Sequence, residues 1–214
     1  MINKKIQEVM STKTKLKSAL NTLKKALNEE FLVGAFEKIE ESINSLPEET
    51  GAPSPKLPTP ILNANEIALY SDGACRGNPG PGSWAFIAQN PQGELVHTAS
   101  GVSKLTTNNK MELQGVIEGL HFVSEQPENF KKIFFYTDSK YVVDGITSWV
   151  KGWKRRGWKK ADKKAPENLE QWQELDRLNE QFNVEFIWVK GHAGHPQNEL
   201  CDQLANEALD AQGF

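Results

Sequence analysis

The chain has 214 residues, of which 38% are hydrophobic and 25% charged, and its formal net charge is −3. This composition supplies enough apolar residues for a folded core and excludes a broadly disordered chain. No run of about 18 apolar residues occurs, so no membrane-spanning helix is expected. The negative net charge argues, at first, against a protein that binds nucleic acid.

The N-terminal sequence predicts no targeting segment. It lacks the apolar core of a secretory signal, and the first arginine of the chain is Arg76, which argues against a mitochondrial transit peptide. The two cysteines, Cys75 and Cys201, are too few for a disulfide framework or a zinc cluster. We therefore expect a cytoplasmic protein.

Residues 1–46 are predicted to form a helical extension of two helices. Two apolar stripes recur at helical spacing, and Gly34 lies in the break between them. The stripes are Leu16, Leu20, Leu23 and Leu27, then Phe36, Ile39, Ile43 and Leu46. Residues 1–28 hold seven lysines and one glutamate, whereas residues 29–50 hold seven glutamates and one lysine. An antiparallel hairpin would pair these charges, but two solvated helix faces explain the pattern equally well.

A proline-rich linker is predicted at residues 47–64, where PEETGAPSPKLPTP contains five prolines. The remaining domain, 65–214, starts with an alternating apolar strand in EIALYSDG, which indicates a half-buried strand. Strands at 83–88 and 95–102 follow as a hairpin with PQG as its turn. A helix at 109–123, a strand in KKIFFYTDS and a helix capped by Ser139 come next.

A helix at 168–182, a strand in FNVEFIWVK and a helix at 197–211 complete the predicted elements. Strands that first form a hairpin and then alternate with helices predict an α/β fold with a mixed sheet and helices packed against it.

Four carboxylates lie in positions that suit a metal site. Asp72 and Asp138 each end an apolar strand, Glu112 lies on an apolar helix, and Asp202 lies inside a core-facing helix. A single aspartate at a strand end is often only a turn or cap residue. Four carboxylates directed toward a core need a partner, because an unpaired buried charge is strongly unfavourable. Oxygen ligands without clustered Cys or His favour Mg²⁺ or Mn²⁺.

A basic segment at 151–164 contains eight Lys and Arg residues and one Asp, and it is interleaved with Trp149, Trp153 and Trp158. Lys and Arg neutralise phosphates and indole faces pack on sugars, so this mixture favours a nucleic-acid groove. The alternative is that the tryptophans anchor the core and the lysines are only solvated. The segment holds half of the 16 basic residues of 65–214, against 20 acidic residues, so local binding to a polyanion is compatible with the net charge.

Five segments together resemble ribonuclease HI, the bacterial type 1 ribonuclease H family, over essentially all of 65–212. They are SDGACRGNPGPG (71–82), TTNNKMEL (106–113), TDSKYV (137–142), WVKGWKRRGWK (149–159) and WVKGHAGHPQNELCDQLA (188–205). The resemblance implies a ribonuclease H-like fold, a five-stranded mixed sheet flanked by helices, here preceded by an α-helical extension. It also implies hydrolysis of the RNA strand of RNA/DNA hybrids by two metal ions, which leaves 3′-hydroxyl and 5′-phosphate ends.

The resemblance assigns roles to the acidic residues. Asp72, Glu112, Asp138 and Asp202 match the four metal ligands of the family, which implies two Mg²⁺ ions with substrate bound and Mn²⁺ as a substitute. His192 matches the family's mobile active-site histidine, although by its position alone it would be a surface loop residue.

The resemblance also assigns substrate contacts. On the RNA strand these are Cys75, Asn78, Asn108, Glu112 and Lys140, and on the DNA strand Thr107, Asn168, Trp149, Trp153 and Trp158. Lys140 stands where the family commonly has glutamine, so a contact with phosphate and one with the 2′-hydroxyl both remain open. The glycines of GNPGPG suit either a close approach to a sugar or a tight turn.

Two other functions remain open at this stage. One is a hybrid-binding module without turnover, which the complete set of four carboxylates disfavours. The other is a ribonuclease H domain of retroelement origin. For the N-terminal extension we expect protein contacts or self-association, and no membrane partner is expected for the chain.

Overall fold

The computed structural model describes residues 16, 20, 33–45, 62–126 and 130–214. The chain divides into two units, Met1–Lys56 and Leu57–Phe214. In the first unit α1 covers Val33–Ser45, and Leu16 and Leu20 are also helical. Gly34 lies in the first turn of α1, so it is part of a helix and not of a break. The rest of the predicted extension, and the predicted linker as far as residue 61, lie outside the described residues.

The second unit is built on a five-stranded mixed sheet, as predicted. Its strands are β1 (Glu66–Cys75), β2 (Gly80–Gln89), β3 (Leu95–Thr106), β4 (Lys132–Thr137) and β5 (Val184–Trp188). The strand order is β3-β2-β1-β4-β5. The pairs β1–β2 and β2–β3 are antiparallel, whereas β1–β4 and β4–β5 are parallel. The β2–β3 turn closes where PQG predicts it, with the Asn90 amide donating to the Glu94 carbonyl oxygen at 3.0 Å.

Helices flank the sheet. They are α2 (Asn108–Ser124), α3 (Lys140–Asp144), α4 (Val150–Arg155), α5 (Leu169–Gln181) and α6 (Pro196–Ala211). A π-helical turn, Gly145–Trp149, joins α3 to α4. The Ser139 hydroxyl accepts a hydrogen bond from the Val142 amide at 3.2 Å, which confirms the predicted cap of α3. Within the described parts of the chain, no helix combines the length and the apolar character needed to cross a membrane.

Strand β1 is buried on both faces, so the prediction of a half-buried strand is wrong. The reason is its central place in the sheet, with α2 and α6 both packed against it. Ile67 and Leu69 join the core cluster that includes α2, whereas Tyr70 on the alternate face interacts with Cys201 of α6.

The apolar side of α2 forms much of the core, as its periodicity predicts. Leu113, Val116 and Leu120 are fully buried, and Trp172 of α5 packs in the same cluster. Burying each such side chain contributes about 1.5–3 kcal/mol, so this cluster holds α2 and α5 rigidly beside the sheet. Glu112 therefore lies on a helix whose position is fixed by its neighbours.

Candidate active site

Asp72 and Asp138 lie at the same end of the two central parallel strands. The last register pair of β1 and β4 is Ser71 with Thr137, and each aspartate is the next residue along its strand. Asp72 does not end its strand as predicted, because β1 continues to Cys75 while paired with β2. It marks the point at which β1 loses its pairing with β4, and strand alternation directs Asp72 and Asp138 to the same face.

Glu112 and Asp202 reach this position from two helices. A Cβ atom built on Gly73 would lie 2.5 Å from the Glu112 amide nitrogen, so α2 approaches β1 this closely only because residue 73 is glycine. Burial raises the pKa of Asp72 to about 8, and the charges of Asp138, Asp202 and Glu112 add to the increase. The structure therefore brings the four predicted carboxylates together around Asp72.

Hydrogen bonds orient two of these carboxylates. Burial raises the pKa of Glu112, while Ser139 and Asn108 donate to its two oxygens, Asn108 at 2.8 Å, and oppose that increase. The Gly73 amide donates to Asp72 Oδ1 at 2.7 Å. Each of these two carboxyl groups is thus oriented by donors that carry no net charge and that do not balance its negative charge when it ionises.

Asp138 and Asp202 are oriented by asparagines on α6. Asn198 Nδ2 donates to Asp138 Oδ2 at 3.2 Å, and Asn206 Nδ2 donates to Asp202 Oδ1 at 2.9 Å. Sequence reasoning missed both asparagines. They lie four residues before and four residues after Asp202, a spacing that places all three on one helix face and could have identified them.

Gly191 is a further residue that the sequence analysis did not identify. A Cβ atom on residue 191 would collide with Asp138 Oδ2, so a larger residue there would displace this carboxylate from its present position. His192 follows directly and is exposed in that loop, with a positive φ of 51°. The imidazole is therefore carried by a segment that contacts Asp138 through the neighbouring residue.

The donor set fits a hard divalent cation. Within the described residues none of the four carboxylates takes part in an ion pair, and no three Asp, Glu, His or Cys side chains there are close enough to hold a metal by themselves. Mg²⁺ usually takes one or two carboxylates and fills its other positions with water and phosphate oxygens. Burial and the neighbouring negative charges raise the pKa of Asp72, and a divalent cation would stabilise the ionised form of this carboxyl group.

The predicted RNA-strand residues lie near one another at the end of α2. Asn78 Oδ1 accepts a hydrogen bond from the Asn108 amide at 3.2 Å, and Asn108 in turn donates to Glu112. Cys75 Sγ donates to the Gly77 carbonyl oxygen at 2.7 Å in the same glycine-rich loop. This chain of contacts connects the glycine-rich loop to a predicted metal ligand.

Thr107 and Asn168, the predicted DNA-phosphate residues, line one cleft of about 970 Å³ together with Asn78. Thr107 precedes α2 without capping it through its side chain, so the hydroxyl is not used by the helix. Asn168 has a left-handed backbone with φ 56°, and its Nδ2 donates to the Tyr141 hydroxyl at 3.1 Å.

The three tryptophans of the basic segment differ in how far they are buried. Trp149 is 39% exposed, whereas Trp153 and Trp158 pack against the core cluster. Trp153 also forms an edge contact with Trp172, with the ring centroids 5.7 Å apart. Trp153 and Trp158 therefore anchor the segment on the core, as the alternative interpretation holds, whereas Trp149 presents its indole to solvent.

The basic side chains of the segment differ in whether they form ion pairs. Lys154 forms ion pairs with Asp176 at 2.7 Å and Glu180 at 2.5 Å, which attach α4 to α5. Most of the other basic side chains are exposed, and those are Lys151, Arg155, Arg156, Lys159, Lys163 and Lys164. The segment thus presents a concentrated positive surface that is anchored by one of its own lysines.

A mixed sheet of this order, with acidic residues clustered at the end of its central strands, defines the ribonuclease H-like class of fold. The RNase H family model matches residues 64–210, and the chain belongs to the ribonuclease H family.

Curated relatives are similar over nearly their full length. A ribonuclease H of Marinobacter nauticus is 46% identical over 146 residues, which cover 68% of this chain and 95% of the relative. A ribonuclease H of Erythrobacter litoralis is 48% identical over 147 residues, covering 69% of this chain and 98% of the relative.

Solved structures agree with the fold. LC9-RNase H1, a type 1 RNase H with the type 2 active-site motif, is 38% identical with a TM-score of 0.62, covering 71% of this chain and 75% of that chain. RNase H1 from Halobacterium salinarum is 27% identical with a TM-score of 0.55, covering 68% of this chain and 98% of that chain.

Proposed function

We propose that this chain is an endoribonuclease that hydrolyses the RNA strand of RNA/DNA hybrids and leaves 3′-hydroxyl and 5′-phosphate ends. The observation that carries the proposal is the cluster of four carboxylates around Asp72, at the end of the central strands of a ribonuclease H-family domain. Curated ribonucleases H at 46% and 48% identity support the same activity.

Asp72, Glu112, Asp138 and Asp202 would hold two Mg²⁺ ions with substrate bound, and Mn²⁺ would substitute. When bound, such ions activate water as the nucleophile and stabilise the charge that develops on the leaving 3′ oxygen. Hydrogen bonds from Asn108, Ser139, Asn198 and Asn206 keep the carboxylates oriented before substrate arrives. These donors reduce the reorganisation needed when substrate binds.

His192 is proposed to transfer a proton during water activation or product release. Its exposed imidazole lies one residue from Gly191, which contacts Asp138. An imidazole can both accept and donate a proton, which suits this role.

The proposed substrate contacts divide into those with the RNA strand and those with the DNA strand. Cys75, Asn78 and Asn108 are proposed to contact sugars of the RNA strand, where a 2′-hydroxyl distinguishes RNA from DNA. Thr107 and Asn168 are proposed to bind a phosphate of the DNA strand in the cleft that they share. The exposed basic residues of 151–164, with Trp149, would extend this contact along the DNA strand.

The N-terminal segment is proposed to be a separate helical unit, residues 1–46, joined by a linker at 47–64, that takes part in protein contacts or self-association. The division of the chain near residue 56 supports a separate unit. Deletion of residues 1–60 tests this role through sedimentation and hybrid affinity, and unchanged values in both would contradict it. We propose the cytoplasm as the compartment, which the two free cysteines support.

The activity is tested by incubating the full chain and Mg²⁺ with four end-labelled substrates of one sequence: the RNA/DNA, DNA/DNA and RNA/RNA duplexes and the single-stranded RNA. Cleavage of the RNA strand only in the hybrid, with 5′-phosphate products, is the expected result. Hybrid binding without cleavage in either Mg²⁺ or Mn²⁺ would contradict the proposal and support the binding-module alternative.

A further inference from the structure

Lys140 and Trp188 form a contact directly beside Asp138. The Lys140 ammonium lies 4.6 Å from the centroid of the Trp188 ring, which is the geometry of a cation–π interaction. The edge of the same indole is also used, because Trp188 Nε1 donates to the main-chain carbonyl oxygen of Asp138 at 2.9 Å. Trp188 remains 42% exposed, so its role is not simply to fill the core.

The sheet brings these residues together. Trp188 is the last residue of β5 and pairs with Thr137, the last residue of β4. The Val189 amide donates to the Thr137 carbonyl oxygen at 3.0 Å, which holds the two strand ends together. Asp138 follows Thr137, and Lys140 begins α3 two residues later. A tryptophan at the end of β5 can therefore contact both the predicted metal ligand and the lysine that follows it.

The charge of Lys140 remains available to a ligand. Among the described residues Lys140 has no carboxylate within ion-pair distance, in contrast to Lys154, which is neutralised by Asp176 and Glu180. A carboxylate partner would accept hydrogen bonds from the ammonium and so occupy its N–H donors. A ring face attracts the ammonium but leaves those donors unused. The interaction thus limits the conformations of a flexible side chain while leaving donors free for an anion.

We propose that Trp188 is a positioning residue with two separate effects: its ring face holds Lys140 as a fixed contact for a phosphate of the substrate, and its indole N–H fixes the main chain of Asp138. This inference rests on the proposed function, because the phosphate belongs to the RNA/DNA hybrid. Lys140 would accordingly contact a phosphate and not a 2′-hydroxyl, because a positioned ammonium without a carboxylate partner among the described residues suits an anion.

Three variants separate the two effects. Lys140→Gln removes the charge, so KM and the dissociation constant should rise about two- to fivefold with kcat unchanged. The slope of log affinity against log salt should become shallower by about 0.7–0.9, the contribution of one phosphate contact. Trp188→Phe keeps an aromatic face but loses the N–H donor, so kcat should fall while KM stays within about twofold. Trp188→Leu loses both contacts and should change both parameters.

A double variant tests whether the residues act as a pair. If Trp188 positions Lys140, the effect of Lys140→Gln on affinity should be smaller when Trp188 is already Leu. The control is Lys132→Gln, because Lys132 lies 4.5 Å from the Phe134 ring centroid in a similar ring contact at the start of β4, but its ammonium is paired with Glu185 at 2.5 Å. This control should leave KM, kcat and the salt slope unchanged.

Hybrid affinity is measured without divalent cations as well as by kinetics. Additive effects of Lys140→Gln and Trp188→Leu on affinity, or an unchanged salt slope in Lys140→Gln, would overturn the inference. A wild-type protein that binds the hybrid but does not cleave it would instead refute the proposed function, and the affinity measurements would still decide the role of the pair. Both residues are exposed, and thermal melting verifies that each variant is folded.

Discussion

Asp72 and Asp138 are the first residues beyond the last register pair of two neighbouring parallel strands, and they face the same side of the sheet. This relationship places two carboxylates side by side at the point where β1 separates from β4. Burial and the neighbouring negative charges then raise the pKa of Asp72 to about 8. The fold therefore holds an electrostatically unfavourable arrangement that a divalent cation would relieve.

The first prediction concerns stability without metal. The folded pKa of Asp72, about 8, lies above the ordinary value of 3.8 for this side chain, so the folded state binds more protons than the unfolded state between those values. Stability should therefore fall as pH rises through this window. Asp72→Asn removes the effect, and its advantage in unfolding free energy over wild type should grow by a few kcal/mol from about pH 4 to about pH 9.

Urea unfolding in the presence of EDTA, at several pH values for both proteins, measures this advantage. At each pH the unfolding free energy of wild type is subtracted from that of Asp72→Asn. This difference removes the contributions of other titrating groups that the two proteins share. An advantage that does not change with pH would show that Asp72 titrates normally in the folded protein.

The second prediction concerns metal affinity. A proton on Asp72 must leave before the carboxylate can bind a cation, so Mn²⁺ affinity should rise with pH until about pH 8 and then level off. Titration calorimetry of the full chain at several pH values, without substrate, measures the affinity and the protons released. Asp72→Asn should bind more weakly and lose most of the pH dependence. Equal pH dependence in both proteins would exclude Asp72 as the competing group.

The third prediction concerns Asn198, whose amide donates to Asp138. Asn198→Ala should lower kcat about 10- to 100-fold, because residues that orient metal ligands have effects of this size. Asn183→Ala is the matched control, since the Asn183 side-chain amide donates to the Lys131 carbonyl oxygen, next to the start of β4 and away from the carboxylates. Steady-state kinetics with a fluorescent hybrid compares the variants. A kcat near the wild-type value in Asn198→Ala would show that Asp138 does not depend on this donor.

The fourth prediction separates two tryptophans. Trp153 packs on the core and on Trp172, so Trp153→Ala should lower the unfolding free energy by about 2–4 kcal/mol. Trp149 is exposed, so Trp149→Ala should change stability by less than ~1 kcal/mol but weaken hybrid binding about fivefold. Chemical unfolding and binding without metal provide the two measurements. A Trp149→Ala protein that binds as tightly as wild type would exclude this indole from the substrate surface.

The elements that the sequence predicts well are those that depend on local pattern. The apolar periodicity of 109–123 identified α2, and Ser139 before YVVDGI identified the start of α3, because each feature is a property of one short segment. Asp72 and Asp138 were singled out for the same reason, since each comes at the end of an apolar run, although β1 continues beyond Asp72 to Cys75.

The features that were missed depend on how distant segments pack. Whether β1 is buried on one face or two is decided by the helices that cover the sheet. The contact between Asn198 and Asp138 joins residues 60 positions apart. The division between exposed Trp149 and packed Trp153 depends on which side chains of α5 lie beside them, such as Trp172, which contacts Trp153.

The measurement that tests the account most directly compares hybrid cleavage by wild type, Asp138→Asn and Asp144→Asn under single-turnover conditions with Mg²⁺. Asp144 is the matched control, because it is an exposed carboxylate at the end of α3, six residues further along the chain. The account predicts that Asp138→Asn binds the hybrid but loses at least about a thousandfold in rate, whereas Asp144→Asn cleaves as wild type. Cleavage by Asp138→Asn at the wild-type rate would contradict it.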